Sequence, residues 1–211
     1  GAFSSTAVTW VFSSRSKENE SLSRQYGAGI IIACTVMLGR VLIVSGLYNV
    51  EVFKWLFIPC CLMILSGAVV ALILHKNSAK QNIPTAIQLG NPLDISNALL
   101  FGAQYVAITL FVYYANLFLG TKGLAITGII SGLADVDAIN ISMSKLALTQ
   151  IKPSIAAMVI LLALLSNTFF KLGQSYFKGS TELRRKVLIG LLPSIIIALL
   201  SIGVIYFKTS T

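Results

Sequence analysis

Ionisable side chains are scarce in this sequence: 11% of its residues are Asp, Glu, Lys or Arg, and histidine occurs once, at His75. With 56% hydrophobic residues and a mean hydropathy of +0.85, the 211-residue chain lies far from the balance of a soluble domain. The single histidine falls at the end of an apolar run and reads as a membrane-interface residue, so a serine mechanism has no base. No GxSxG turn is present to carry one either. Cysteine is limited to Cys34, Cys60 and Cys61, all inside apolar runs and without His or Cys partners at ligand spacing. Disulfide and zinc readings are therefore poor, and the thiols read as buried or lipid-facing. Whether another metal binds is left open, and no cofactor is expected. The basic residues, net +9, lack an aromatic-interleaved basic face, which argues against nucleic acid and for loop charge between membrane spans. No basic n-region or cleavage site precedes the first apolar segment, so no removable signal peptide is expected.

What is present is a series of long apolar runs. They predict an all-α, polytopic transmembrane helix bundle in contact with the lipid bilayer, in the bacterial cytoplasmic (inner) membrane. GAFSSTAVTWVF reads as the second half of a helix whose first half lies upstream, followed by the polar loop SSRSKENESLSRQ. Six complete spans then follow: 26–47, 52–74 with an internal Pro59, 96–119, 123–148, 153–172 opening on Pro153, and 187–207. The loop HKNSAKQNIPTAIQLGNPLD, over 76–95, is the main internal boundary, with Asp94 or Ser96 able to cap the next helix. Tyr105, Tyr113 and Tyr114 in the span after it read as packing or interfacial aromatics.

The span over 123–148 is unlike the others, because Ser131-Gly-Leu-Ala-Asp-Val-Asp-Ala-Ile-Asn140 puts two carboxylates and an amide into its middle. Two such acids cost about 5 to 7 kcal/mol on insertion scales, roughly what a dozen apolar neighbours supply. This helix therefore needs protein or water around it. As one continuous helix it would carry Gly128, Ser131, Asp135 and Ser142 on one face and Asp137, Asn140 and Ser144 on nearly the opposite one. Gly128 and Gly132 form a small-xxx-small pair suited to close helix packing. The two acids would point about 160° apart, which excludes a facing aspartyl dyad and disfavours an enzyme.

Laying Gly1 on Gly132 brings out an internal repeat. Ser4, Thr6, Thr9 and Ser13 then fall on Asp135, Asp137, Asn140 and Ser144, while Arg40 falls near Lys171 and Pro59 near Pro193. The chain divides accordingly into a first repeat over 1–75, the loop over 76–95, and a second repeat over 96–211. If every intervening segment crosses, the repeats run parallel, and the partial helix packs beside the Gly132 to Ser144 segment so that the two polar stripes meet. Alternation leaves eight basic residues on one side against six on the other, which does not set orientation. Salt-bridge pairing of the acids with Arg40 or Lys171 is a third possibility, but both basic residues lie toward the ends of their spans, where they could snorkel to a headgroup instead.

SGLADVDAINISMSKLA, LLALLSNTFFK, NPLDISNALLFG and GAFSSTAVTWVFSSRS together resemble the C-terminal membrane module of MgtC/SapB-family proteins, itself a domain of unknown function. The resemblance implies an MgtC-like membrane domain upstream in the full-length protein; it does not establish magnesium transport here. Two functions stay open. One is a transporter or channel for a cation or small polar solute, lined by Asp135, Asp137, Asn140, Ser131, Ser144, Asn167, Thr6 and Thr9. The other is a regulatory or scaffolding membrane protein in which the same groups are helix-helix glue. On the face assignments, Asp137 is expected to matter more for solute or proton movement. Asp135, with a hydrogen bond to Asn167, is expected to matter more for stability. Oligomeric state is open, a homo-oligomer included.

Overall fold

The structure, a computed structural model, describes residues 4–76 and 95–210, and within them it is all-helical. The loop expected over 76–95, apart from its end residues, lies outside the described residues. So do the candidate cap Asp94 and the side chains of His75, Ser96 and Tyr105. Seven α-helices follow in order: α1 Ser5–Glu18, α2 Ser23–Tyr48, α3 Val50–Lys76, α4 Ile95–Ala134, α5 Val136–Leu146, α6 Pro153–Lys178 and α7 Thr181–Ser210. Among the described residues, four stretches are long and apolar enough to cross a membrane: Glu20–Tyr48, Val50–Leu74, Pro153–Lys178 and Thr181–Thr209. Their outward faces carry exposed apolar side chains, such as Ile58, Leu65 and Leu72 on α3 and Ile189, Ile196 and Leu200 on α7, which is the pattern of lipid contact.

The helix boundaries have local causes. α2 and α3 are joined by Asn49 alone, whose side-chain Oδ1 accepts from the N–H groups of Glu51 at 3.0 Å and Val52 at 3.2 Å. α6 and α7 are joined by Gly179 and Ser180, and the Ser180 hydroxyl accepts from the Leu183 N–H at 3.2 Å. Pro153 takes the first position of α6, where its missing N–H costs nothing. Gly120, inside α4, has φ +56°, a backbone conformation that favours glycine, and the helix kinks there.

The segment 123–148 is not one continuous span. Asp135 has extended backbone (φ −156°, ψ 145°) and ends α4, and its side chain caps α5 by accepting from the Asp137 N–H at 3.2 Å. Aspartate favours this position because its short carboxylate satisfies an orphan donor at a helix start better than it tolerates a helix interior. The two arms then diverge in direction. In the arm Gly123–Ala134, Gly128 meets Val159, Gly132 meets Ala163, and the Ile129 and Gly132 carbonyls accept from Ser166 and Asn167, so this arm runs parallel to α6. Asp137, Asn140 and Ser144 meet Arg40, Val41 and Asn49, so α5 runs parallel to α2. Met37 beside Lys171 and Ser23 beside Ser180 make α2 and α6 antiparallel. The arm and α5 are therefore antiparallel, a helical hairpin turning at Asp135. Continuous helical faces assigned across residue 135 do not survive this reversal.

The same contacts correct the repeat's direction. α1 starts with Ser5 beside Met37 and ends with Ser13 and Lys17 beside Ser175 and Phe177, so it runs parallel to α6 and antiparallel to α5. α2 opposes α6, and α7 runs parallel to α2, since Leu183 lies at Gly27 and Ile31 at Gly190. The segments that the repeat's shift of the sequence lays on one another thus run in opposite directions, because the hairpin replaces a crossing. Under the shift that lays Gly1 on Gly132, the cap Ser4 corresponds to the cap Asp135, the junction Asn49 to the junction Ser180, and Arg40 to Lys171. α1 and α5 each pack on both α2 and α6, but they extend in opposite directions and lie end to end. The side-by-side pairing of their polar stripes is not found.

Orientation changes as well. Arg15, Lys17, Arg24, Lys76, Lys178, Arg184, Arg185 and Lys186 lie toward one end of the bundle, as Lys17 on the Phe177 carbonyl and Arg24 beside Glu182 illustrate. Lys54, Lys145, Lys152 and Lys208 lie toward the other, with Lys145 over the Tyr48 ring. Counting only residues whose side chains are described, eight against four replaces eight against six.

Candidate functional site

Two half-length helices begin near mid-height of the bundle. Met37, at the start of α1, and Asn167, at the hairpin tip, each lie within a turn of the midpoint of their own helix. An α-helix presents unpaired N–H groups and roughly half a positive charge at its N-terminus, so these two starts bring positive potential into the interior.

Charged side chains gather at the same level. Asp137, in the first turn of α5, is bound by Arg40 of α2: the guanidinium Nε donates to Oδ1 at 3.2 Å and Nη2 pairs with Oδ2, a bidentate arrangement. The snorkelling expected of Arg40 is replaced by this pair, because the hairpin delivers a carboxylate to its level. Lys171 does not snorkel either. It is fully buried, with Nζ 3.4 Å from the Met37 Sδ, which also receives the Ser5 hydroxyl at 3.4 Å. Asp135 occupies the tip between α4 and α5, its own N–H donating to the Ser131 carbonyl at 2.9 Å.

The amides hold helices together. Asn140, fully buried, accepts from the Ser45 hydroxyl at 2.7 Å and donates to the Val41 carbonyl at 3.0 Å. Asn167 donates to the Gly132 carbonyl at 2.8 Å and not to Asp135, while its Oδ1 has no hydrogen-bond partner among the described residues. The Ser131 and Ser144 hydroxyls are likewise buried without a partner, although the Ser144 carbonyl accepts from Asn49 at 3.1 Å. Thr9 is buried and bonds back to the Ser5 carbonyl at 2.8 Å, and Thr6 sits half-buried in the first turn of α1. Gly128 and Gly132 lie against the backbone of α6.

Asp135, Asp137, Ser131, Asn167 and Thr6 thus fall around the level where the half-helices start. Asn140, Thr9 and Ser144 lie one or more turns away along α5 and α1. Sequence reasoning did not assign Arg40 and Lys171 to the site. The signal was their correspondence under the repeat, together with their charge inside apolar runs.

Asn140→Leu is expected to lower stability by about 1 to 3 kcal/mol, since it strips two partners from buried groups on α2. Detergent melting checks this; a melting temperature equal to the parent's would mean that the carboxamide does not tie α5 to α2.

A family model described as "Domain of unknown function (DUF4010)" matches residues 1–179. A protein of Aquifex aeolicus (strain VF5), described as uncharacterized, is 30% identical over 190 residues, spanning 87% of this chain and 81% of its own. No solved structure matches. Since the matched model extends over most of the sequence, the chain belongs to the DUF4010 family, whose domain is one of unknown function.

Proposed function

We propose that this protein is a multi-pass membrane transporter for a small polar solute, with its binding centre where α1 and α5 begin. The observation that carries the reading is the pair of inverted half-helices starting at mid-height between α2 and α6, next to Arg40, Asp137 and Lys171. Discontinuous helices at a repeat interface are how many secondary transporters place unpaired backbone groups around a solute inside the membrane. A structural bundle has little use for two helix starts and four charged residues in its interior, each of which costs stability.

Of the sequence's two candidate solutes, a cation is the less favoured, because Asp137 already engages Arg40 and Asp135 caps α5. Asn140, with both ends of its carboxamide hydrogen-bonded, is assigned to bundle cohesion. That observation favours the scaffold reading for this residue. The eight-to-four excess of basic residues orients the end bearing Arg15 and Arg184 toward the cytoplasm of a bacterial cell. An MgtC-like membrane domain upstream, implied by the motif resemblance, is proposed as a partner in the full-length protein.

The test is flux in proteoliposomes containing the full-length protein, comparing the parent with Asp135→Asn and Asp137→Asn. Asp137→Asn is expected to reduce flux at least tenfold by weakening the Arg40 pair. Asp135→Asn keeps a capping side chain and is expected to retain most flux, with a small loss of melting temperature. No flux in the parent for cationic, neutral or anionic solutes, together with a stoichiometric co-purifying membrane partner, would establish the scaffold reading instead.

A further inference from the structure

Lys171 is the least explained side chain in the molecule. It is 0% exposed, and among the described residues no carboxylate lies within ion-pair distance of its ammonium, which touches the thioether of Met37 and the thiol of Cys34. Buried charges are ordinarily paired, because leaving one unpaired costs several kcal/mol. Its position gives the charge a direction. The Met37 Sδ that it touches also receives Ser5, the first residue of α1, so Nζ lies within two short contacts of that helix start. The first intrahelical bond of α1 runs from Val8 to the Ser4 carbonyl, and Ser4 also caps Ala7, which leaves the N–H groups of Ser5 and Thr6 ahead of the helical ladder.

A second, independent observation lies one turn back on the same face of α6. Asn167 is 2% exposed and anchored through Nδ2 to the Gly132 carbonyl at the hairpin tip, yet among the described residues its Oδ1 has no donor. Ser131, 3% exposed on the adjoining arm, has a hydroxyl with no partner among them either. Buried polar atoms in this state are uncommon and call for an explanation. Around the centre, the two side-chain cations offset the two carboxylates. The two helix starts then leave an excess of about one positive charge.

We propose that the centre binds a small monocarboxylate bearing a neighbouring hydroxyl or amino donor. Lys171 and the start of α1 hold the carboxylate, and Asn167 Oδ1 accepts from the donor. This rests on the transport reading, and it names the solute class for that centre.

The experiment pairs two readouts on the purified full-length protein. Melting in detergent is followed with lactate, glycolate and alanine, with acetate and propionate lacking the donor, and with choline and glycerol as cationic and neutral probes. Uptake of the same probes is measured in proteoliposomes. Lactate, glycolate or alanine is expected to raise the melting temperature by several degrees in the parent, acetate and propionate by less. Lys171→Met and Lys171→Gln are expected to abolish the shift while melting at or above the parent without solute, since each removes an unpaired buried charge. Asn167→Leu should erase the difference between lactate and propionate. Stabilisation by choline or glycerol alone, or by nothing in the panel, overturns the inference. So does a carboxylate shift that survives in both Lys171 variants. Carboxylate-dependent melting without uptake of any probe leaves the inference standing and removes the transport reading. Uptake of choline or glycerol without carboxylate binding does the reverse.

Discussion

Arg40→Met is expected to lower stability by roughly 2 to 3 kcal/mol, more than Asp137→Leu, although both break the same ion pair. The Asp137 side chain is 13% exposed and that of Arg40 34% exposed, so the charge left behind differs in each variant. Without Arg40, a short and mostly buried carboxylate is stranded in the first turn of α5, with the helix N-terminus as partial compensation. Without Asp137, the guanidinium has a long stem and an exposed third from which to reach water or a headgroup. A figure below the usual cost of breaking a buried pair follows from that partial exposure. The double variant Arg40→Met, Asp137→Leu removes both charges and is expected to recover most of the loss, with a coupling energy of about 1 to 3 kcal/mol. Detergent melting of the four proteins measures it. Additive losses would mean that the two side chains do not act as a pair, and the hairpin would need another anchor to α2.

The helical class was legible because it depends on little more than apolar run length and the scarcity of charge. That SGLADVDA is packed among other helices was legible for a related reason: two acids in a span-length apolar run are too costly to leave facing lipid. What could not be read was the path of the chain through those acids. Assigning faces at 100° per residue presupposes a continuous helix, and Asp135 breaks it. A mid-span aspartate looks alike whether it faces a neighbour or caps a new helix, since the choice depends on whether α2 offers Arg40 at the right level. Read as one crossing, 123–148 makes the repeats parallel and sets eight basic residues against six. Each of those errors descends from that one reversal. The repeat nevertheless held the corrective information, because the shift that lays Ser4 on Asp135 pairs two helix caps. It also lays Arg40 on Lys171, and the inverted geometry turns that correspondence into two cations flanking one centre from opposite helices.

The hairpin's other anchor is the glycine contact with α6, and Gly132→Ala is expected to cost about 2 to 4 kcal/mol. A Cβ at this position would run into the Ala163 carbonyl oxygen, with the Ala163 Cα at 2.8 Å and its carbonyl carbon at 2.9 Å. These are backbone atoms in the interior of α6, so no side-chain rotation relieves the clash and the arm must move away as a unit. Movement would stretch the bond from Asn167 to the Gly132 carbonyl, now 2.8 Å, and that from Ser166 to the Ile129 carbonyl, now 2.7 Å. Each such bond is worth about 0.6 kcal/mol inside a membrane protein, which adds to the overpacking cost of about 1 to 3 kcal/mol. Gly39→Ala on α2 is the matched control: among the described residues its Cβ would meet nothing within 4 Å, so the substitution should be neutral or stabilising by up to about 1 kcal/mol. Because the obstacle at Gly132 is backbone, adding Ala163→Gly is expected to leave the loss in place. Recovery in that double variant would show that the contact is made by the Ala163 methyl group and that the two helices are further apart than described. If the protein transports as proposed, flux should fall with stability in Gly132→Ala, since Asp135 lies three residues beyond the contact and is carried with the arm.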